Sequence, residues 1–315
     1  MDIMINILIM YSTEAPTPQH VVRLESMAGV GRVNVALSES EAIKFSQDAE
    51  VILGHRYLWQ CLPHTNDLRW VQATAAGVDR LVTPELVQKK PLLSRMPIFS
   101  KPIALHGLSM MLSLSQRLSE ASFQLGKSIT PVKLIPYDFP KRVVIFGMGS
   151  IGRQLGKLLQ ALGCHVTGVS RNPSGEDFPC DQWIDAEKWI ETLENADVLF
   201  VTAPLTNQTR GLFGQAALSK LPSGAIFINL ARGGLVDHLA LVQCLEGGHL
   251  AGAGLDVIDG ASEKDKQRLF NLPNVVYTPK ISSLFSQRQM QLEAFVESQV
   301  YCYLNGEQVL HQVEF

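Results

Sequence analysis

The chain has 315 residues, of which 46% are hydrophobic and 18% charged, and its formal net charge is −3. At roughly 100–200 residues per domain this length predicts two domains, and the composition is globular rather than disordered. The nearly balanced charge offers no basic surface for nucleic acid or for an anionic membrane. We therefore expect neither nucleic acid nor a membrane as a partner.

Five cysteines lie far apart and form no CxxC pair: Cys61, Cys164, Cys180, Cys244 and Cys302. This spacing argues against a disulfide framework, and no His, Asp or Glu cluster has the spacing of a metal site, so no metal is expected. A reducing cytoplasm fits this cysteine usage best. The opening MDIMINILIMYS is short and carries Asp2 in place of a basic segment, so we interpret it as a first strand and not a signal peptide.

Short apolar runs alternate with helical patterns along the whole chain. The predicted strands are 3–10, 33–37, 51–53, 70–73, 143–146, 166–169, 198–202, 226–229, 254–257 and 275–278. The predicted helices are 17–27, 103–125, 151–162, 186–194, 238–246 and 285–304. Several of the strands are continuous apolar runs, as in parallel strands covered on both faces. The alternation predicts an α/β fold with parallel sheets.

The strongest local motif is VVIFGMGSIGRQLGKLL, which lies between a predicted strand and a predicted helix. In a GxGxxG turn the first glycine permits the tight turn, the second admits a pyrophosphate, and the third lets helix and strand pack closely. The alternative is a glycine-rich turn without a ligand, but the strand–helix context favours dinucleotide binding. The expected cofactor-binding residues here are Gly147, Met148, Gly149, Ser150, Ile151 and Gly152.

The next predicted strand ends in Ser170 and Arg171, and neither of the following two residues is acidic. An NAD site usually places Asp or Glu there to bind the ribose hydroxyls. A guanidinium suits a 2′-phosphate instead. We therefore expect NADP(H) rather than NAD(H), the alternative being a solvated arginine.

Several long segments carry a resemblance: LRWVQATAAGVD (68–79), the GMGSIG turn, APLTNQTRGLFG (203–214), FINLARGGLVDHLALVQCLEGGHLAGAGLDV (227–257) and LPNVVYTPK (272–280). The chain resembles the D-isomer-specific 2-hydroxyacid dehydrogenases, including the glyoxylate and hydroxypyruvate reductases. The resemblance implies two Rossmann-like or flavodoxin-like domains with parallel sheets and an interdomain cleft. A substrate domain would comprise 1–101 plus 285–315, and a dinucleotide-binding domain 102–284. A homodimer through the cofactor domain is also implied.

The resemblance also implies roles for single residues. Arg232 would bind the carboxylate of a small anionic 2-keto or 2-hydroxy acid and polarise its keto oxygen, a task suited to a fixed guanidinium. Ala76 and Gly77 would offer backbone N–H groups to the same carboxylate. Asp256 would hydrogen-bond the nicotinamide carboxamide. The remaining residues expected along the cofactor are Ala203, Pro204, Thr209, Leu230 and Ala231.

The sequence departs from this family at its acid/base pair. The family places a His after TP and a Glu in the loop after LDV, whereas this chain has Lys280 and Ala261, with Asp259 and Glu263 nearby. An ammonium has no second ring nitrogen for a carboxylate to orient, so the two losses are chemically coherent. A lysine ammonium is protonated at neutral pH and can donate a proton to an alkoxide. Lys280 is therefore the expected general acid, unless it faces solvent or contacts cofactor alone.

Three functional classes follow. The first is an NAD(P)H-dependent oxidoreductase that reduces a small 2-keto acid with Arg232 and Lys280. The second is a catalytically impaired dinucleotide-binding protein that acts as a sensor or a partner-binding module. The third is an enzyme of different specificity on the same scaffold. The retained Arg232 favours the first class. His106, on a predicted helix, is an alternative acid/base only if it faces the nicotinamide.

Overall fold

The computed structural model describes residues 4–125, 135–171 and 178–314. The chain divides into two compact units, Met1–Phe99 with Phe285–Phe315, and Ser100–Leu284. The strands are β1 Ile5–Met10, β2 Val30–Val35, β3 Val51–Gly54, β4 Trp70–Gln72, β5 Leu92–Ser94, β6 Arg142–Phe146, β7 His165–Ser170, β8 Gln182–Asp185, β9 Val198–Val201, β10 Ala225–Asn229, β11 Leu250–Leu255 and β12 Val275–Tyr277. The helices are α1 Pro18–Glu25, α2 Glu39–Ser46, α3 Leu58–Cys61, α4 Pro84–Lys89, α5 Ser100–Ser115, α6 Leu118–Leu125, α7 Ser150–Ala161, α8 Gln215–Leu218, α9 His238–Glu246, α10 Glu263–Phe270 and α11 Arg288–Leu304.

The first unit is built on a five-stranded sheet in the order β2-β1-β3-β4-β5, with every adjacent pair parallel. This is the doubly wound order of flavodoxin-like domains, which the alternating sequence pattern predicts. Its central strands are buried along their length, with Leu8, Ile52 and Val71 fully excluded from solvent. Such burial on both faces explains why these strands are continuous apolar runs.

Helix α11 belongs to the first unit and is fastened to α1 by polar contacts. Thr17, the N-cap of α1, donates its backbone N–H and its hydroxyl to the Glu293 carboxylate at 2.8 and 2.7 Å. His20 Nδ1 lies 2.5 Å from Glu297 Oε1, while its Nε2 lies 2.7 Å from the Tyr11 hydroxyl. Contacts of this kind satisfy polar groups that are otherwise costly to bury.

The second unit is built on a seven-stranded parallel sheet in the order β12-β11-β10-β9-β6-β7-β8. The first strand of this sheet in chain order is β6. Strands β7 and β8 lie to one side of it, and β9 to β12 lie to the other side. The strand order therefore reverses between β6 and β9, as in Rossmann folds. Its core contains Phe213, which meets Phe146 and Trp189 edge to face at 5.2 Å between ring centroids.

Some predicted elements were wrong or missed. The single helix predicted over 103–125 is two helices, α5 and α6, because Arg117 adopts a left-handed φ of 55° between them. The helix predicted over 186–194 is a 3-10 segment, Trp189–Asn195. Strands β5 and β8 were not predicted. The sequence of β5, LLS, has no β-branched or aromatic residue, and that of β8, QWID, begins and ends with a polar residue. The prediction of α9 is confirmed at both ends, and Asp237 caps it by accepting from Ala240 N–H at 3.1 Å.

Within the part of the chain that the structure describes, no helix is long and apolar enough to cross a membrane.

Candidate functional site

The residues predicted to bind a cofactor lie at or after the carboxyl ends of strands in the second sheet. Parallel strands present their carboxyl ends on the same side, and ligands of open α/β sheets bind there, beside the point where the strand order reverses. The loops after β6, β9, β10 and β11 all begin at this edge, and backbone hydrogen bonds connect the residues where they begin. Backbone bonds continue across it from strand to strand, for example Thr202 N–H to Phe146 O at 2.9 Å and Asp256 N–H to Asn229 O at 3.1 Å.

Two glycines of the GxGxxG turn are required by close packing. A Cβ on Gly147, whose φ is +109°, would lie 2.5 Å from the backbone nitrogen of Ala203. A Cβ on Gly152 would lie 2.2 Å from the Gly147 carbonyl oxygen, which also accepts from the Thr202 hydroxyl. The structure thus brings Gly147, Gly152 and Ala203 together, as the packing role of these glycines requires.

Gly149 is different, because a Cβ there would meet nothing within 4 Å. It is the N-cap of α7, and no side chain caps the N-terminus of that helix. The first N–H groups of a helix have no partner within the helix, and the helix dipole favours an anion there. An open glycine before an uncapped helix N-terminus is the arrangement that a pyrophosphate needs, so these residues fit a dinucleotide.

The other residues of the turn contribute mainly backbone. The Met148 side chain is 4% exposed and packs against β7, so that a Cβ on Gly168 would lie 2.8 Å from Met148 Cγ. Ser150 and Ile151 form the first turn of α7 and are half-buried. Any contact of Met148 with a cofactor would therefore come from its main chain.

Ser170 and Arg171 lie at the carboxyl end of β7, as predicted. The Trp183 indole N–H donates to the Ser170 hydroxyl at 3.0 Å, and Arg171 is exposed. Sequence reasoning missed a second guanidinium on this side, that of Arg153 in α7. Arg153 Nε donates to the Met148 carbonyl at 3.2 Å, and its guanidinium lies 4.9 Å from the ring centroid of Phe178.

The loop after β9 is closed by its own side chains. The Thr209 hydroxyl donates to the Pro204 carbonyl at 2.8 Å and accepts from Thr206 N–H at 2.8 Å. The loop after β10 begins with Leu230 and Ala231, which are 5% and 7% exposed. Thr209 therefore shapes the loop that carries Pro204, while Leu230 and Ala231 present little side-chain surface.

Arg232 stands on a loop that is fixed from two sides. The buried Asn229 side chain accepts from Ala231 N–H at 3.0 Å and donates to the Arg232 carbonyl at 2.9 Å. The following residue, Gly233, donates its N–H to Asp259 Oδ1 at 3.0 Å, and a Cβ on Gly233 would lie 2.1 Å from the Asp259 carbonyl oxygen. Sequence reasoning missed Asn229, although a polar residue that ends the apolar run AIFIN is a detectable signal.

Asp256 and Lys280 are joined through the turn that follows β12. Asp256 is 2% exposed, and its carboxylate accepts from Thr278, from Ile281 N–H and from Ser282. Lys280 is exposed, has a left-handed φ of 55°, and donates its N–H to the Asp256 carbonyl at 2.9 Å. Donors within the protein thus satisfy the buried carboxylate, in addition to any nicotinamide contact that the resemblance implies.

The residues around the family's Glu position do not replace it in a simple way. Ala261 packs against the hydrophobic core, and Glu263 begins α10 with its side chain 82% exposed and paired to Lys266 at 2.6 Å. Asp259 is engaged with the Arg232 loop. His106 of α5 does reach the edge, where its Nε2 lies 2.9 Å from Thr278 Oγ1.

Ala76 and Gly77 lie in the first unit, in the loop after β4. Ala76 is half-buried and Gly77 exposed, and the loop is tied to its own sheet by Met96 N–H, which donates to the Ala75 carbonyl at 2.9 Å. The His55 ring, after β3, lies 3.4 Å from the Thr74 hydroxyl of the same loop. These groups share the carboxyl edge of the first sheet.

Across residues 4–125, 135–171 and 178–314, no group of three or more His, Cys, Asp or Glu side chains could hold a metal ion.

The second unit combines a Rossmann strand order with a close-packed GxGxxG turn, and these two features are typical of dinucleotide-binding domains. The family model described as "D-isomer specific 2-hydroxyacid dehydrogenase, NAD binding domain" matches residues 108–282, more than half of the chain. The chain belongs to the D-isomer specific 2-hydroxyacid dehydrogenase family. The predicted resemblance and the α/β fold class are therefore confirmed.

Relatives by sequence include glyoxylate/hydroxypyruvate reductase B of Klebsiella pneumoniae subsp. pneumoniae, which is 30% identical over 248 residues, covering 76% of this chain and 76% of the relative. D-3-phosphoglycerate dehydrogenase of Bacillus subtilis is 28% identical over 249 residues, which cover 78% of this chain and 47% of the relative. The chain spans about half the length of the D-3-phosphoglycerate dehydrogenases that it matches.

Among solved structures, the chain is similar to an NADPH-dependent glyoxylate/hydroxypyruvate reductase from Sinorhizobium meliloti in complex with NADP and sulfate. The TM-score is 0.80 with 25% sequence identity, and the similarity covers 98% of both chains.

Proposed function

We propose that this protein reduces a small 2-keto acid to a 2-hydroxy acid with a nicotinamide dinucleotide, with Arg232 binding the carboxylate and Lys280 acting as general acid. One observation carries the proposal. Arg232 and Lys280 follow β10 and β12, which flank β11, at the same sheet edge as the open pyrophosphate turn. An anion-binding cation, a proton donor and a cofactor cradle thus share one edge.

A bound nicotinamide dinucleotide supplies the hydride. The Arg232 guanidinium holds the substrate carboxylate and polarises the keto oxygen, and Asn229 and Asp259 keep its loop in place. As the keto carbon takes up the hydride, its oxygen becomes an alkoxide and takes a proton from the Lys280 ammonium. The lysine is left as a neutral amine and regains a proton from solvent.

The test is an assay of NADPH oxidation with glyoxylate, hydroxypyruvate, pyruvate and phenylpyruvate. Removing a general acid costs roughly 10²–10⁴-fold, so Lys280→Met should lower kcat by at least about 100-fold. Arg232→Met should raise the KM for the keto acid as well. Lys264→Met removes an exposed lysine of α10 and is the matched control. Unchanged turnover by Lys280→Met would refute the assignment of the acid.

We also propose that NADPH is preferred to NADH. Arg171 follows β7 directly, and Arg153 lies in α7, the helix that follows the glycine turn. A guanidinium at either position would suit a 2′-phosphate. Arg171→Ala should lower the NADPH to NADH ratio of kcat/KM by about tenfold, as loss of a charge-assisted hydrogen bond does. Equal use of both cofactors by the unaltered protein would contradict this preference.

A homodimer through the second unit is a further part of the proposal. Exposed apolar side chains occur on α5, on α6 and in the segment before β6, namely Leu105, Leu118, Ile135, Tyr137 and Phe139. Exposed apolar side chains such as these can contribute to a subunit interface. Sedimentation equilibrium should give twice the chain mass, and Leu105→Lys with Leu118→Lys should lower it to one chain mass.

The alternative function is a dinucleotide-binding protein without catalysis, which acts as a sensor or partner-binding module. The observation in its favour is that Lys280 and Ala261 occupy the positions of the family's His and Glu. Tight NADPH binding, measured by cofactor fluorescence, with no turnover of any keto acid would support this alternative over the reductase.

A further inference from the structure

The turn that carries Lys280 is held by one buried carboxylate. Asp256 Oδ1 accepts from the Thr278 hydroxyl at 2.7 Å, from Ile281 N–H at 3.0 Å and from Ser282 N–H at 3.3 Å. Asp256 Oδ2 accepts from the Ser282 hydroxyl. These bonds fix the chain immediately before and after Lys280. The Asp256 carboxylate therefore fixes the backbone position of Lys280.

Lys280 needs such support because its backbone is left-handed, with a φ of 55°. A residue with a Cβ avoids this conformation and keeps it only where its surroundings impose it. The Lys280 N–H donates to both the Asp256 and the Thr278 carbonyls at 2.9 Å. The strained Lys280 backbone is thus hydrogen-bonded to Asp256 and Thr278, the two residues whose side chains also hydrogen-bond each other.

A residue of α5, His106, also takes part in this hydrogen-bond network. Thr278 has a single hydroxyl proton, and it goes to Asp256. The Thr278 oxygen can then only accept from its other neighbour, His106 Nε2, at 2.9 Å. His106 must carry its proton on Nε2 and donate it. This Nε2 also lies 3.7 Å from Asp256 Oδ1.

We propose that His106 is a positioning residue for the reaction. By donating to Thr278, it orients the Thr278 hydroxyl toward Asp256 and so stabilises the left-handed turn that presents Lys280. His106 acts through these two residues and transfers no proton to the substrate. This inference rests on the proposed role of Lys280 as general acid, but the state of the turn can be measured without any activity.

The test compares His106→Ala with His106→Gln by hydrogen–deuterium exchange and by kinetics. The amide of a glutamine side chain offers an N–H near the position of Nε2 and should rescue the contact. In His106→Ala the amides of Ile281 and Ser282 should exchange about threefold to tenfold faster, as expected for a weakened hydrogen-bonded turn. The kcat should fall by a similar factor, while the KM for NADPH stays within about twofold.

Two further variants separate a specific effect from a general one. Ser109→Ala removes a hydroxyl that donates to the Leu105 carbonyl within α5, so it should leave exchange and kcat unchanged. Thr278→Val removes the hydroxyl that connects His106 to Asp256, so it should reproduce the effect of His106→Ala. It tests the same network if His106→Ala folds poorly.

The outcomes distinguish this inference from the proposed function. Unchanged exchange at Ile281 and Ser282 in both His106→Ala and Thr278→Val would overturn the network, whatever the activity. Faster exchange with unchanged kcat in an enzyme that needs Lys280 would overturn the positioning role. If Lys280→Met is fully active, the proposed acid fails, and faster exchange in His106→Ala would still support the structural part. Restoration of both readouts by His106→Gln is the result expected.

Discussion

Gly149 and Gly152 belong to one motif but should respond in opposite ways to a single added methyl group. Gly149 has a φ of −72° and a ψ of −163°, which alanine adopts without strain, and a Cβ there meets nothing within 4 Å. A Cβ on Gly152 would lie 2.2 Å from the Gly147 carbonyl oxygen and 3.1 Å from Thr202 Oγ1. Because the first of these atoms is backbone, it cannot move aside cheaply.

The magnitudes follow from these distances. For Gly149→Ala, a poorer N-cap costs about 0.5–1 kcal/mol, and the reduced freedom of the unfolded chain returns about 0.4–1 kcal/mol. The free energy of unfolding should therefore change by less than about 0.5 kcal/mol. For Gly152→Ala, overpacking against rigid backbone should cost about 3 kcal/mol. The methyl on Gly149 would instead obstruct a pyrophosphate, and losing one charge-assisted hydrogen bond of about 1.5–3 kcal/mol weakens NADPH binding about 10- to 100-fold.

Urea unfolding and NADPH fluorescence titration measure the two quantities on the same preparations. The expected pattern is a stable Gly149→Ala that binds NADPH poorly and a destabilised Gly152→Ala. If Gly149→Ala bound NADPH within about twofold of the unaltered protein, the pyrophosphate would not approach this glycine and the reasoning would be wrong. A loss of stability in Gly149→Ala as large as in Gly152→Ala would refute it equally.

Three further predictions concern stability and reactivity. Burial acts to raise the pKa of Glu293, but hydrogen bonds from the Thr17 backbone and hydroxyl outweigh burial, so the pKa is lowered in the folded protein. The contribution of Glu293 to the free energy of unfolding is therefore fully present above about pH 4.3 and is lost as the pH falls through the folded pKa. Glu293→Gln should thus be less stable at neutral pH and lose less on acidification, as measured by urea unfolding at several pH values. Burial raises the pKa of Cys61 to about 11, so iodoacetamide should label it in urea far faster than in the native protein, by mass spectrometry. Phe213→Ala should cost about 3–5 kcal/mol of unfolding free energy, and a urea midpoint within error of the unaltered protein would contradict the aromatic packing in the second unit.

The features that the sequence predicted well are those with a local physical cause. Helix α9 begins at a capping aspartate and ends at Gly247, and its bounds match the prediction. Buried parallel strands such as β6 and β9 are apolar runs, which are visible in any single sequence. By contrast, β5 is as short as the predicted β4 but contains no β-branched or aromatic residue, so its sequence does not favour a strand. The left-handed turn at Arg117 carries no glycine to mark it.

The candidate site shows the same division. The glycine motif was predictable, because close packing requires glycine at Gly147 and Gly152. The role of Arg232 comes from the family resemblance and stays a prediction. The support of Arg232 by Asn229 and Asp259 was not, since it joins loops that follow different strands. Nor could the sequence show that the Asp256 carboxylate is filled by donors from its own unit. Partners that are distant in sequence become visible only when the sheet order is known.

These contacts explain why a lysine is compatible with the rest of this site. In the family, a carboxylate orients the second nitrogen of a histidine, so a residue without such a nitrogen makes that carboxylate unnecessary. Here that position is Ala261, which packs against the core instead. The Asp256 carboxylate bonds mainly to the main chain and hydroxyls of the turn, so its task does not depend on whether the side chain at position 280 is an imidazole or an ammonium. A lysine at position 280 is therefore compatible with both the support of the turn and the anchoring of Arg232, as the proposed reductase requires.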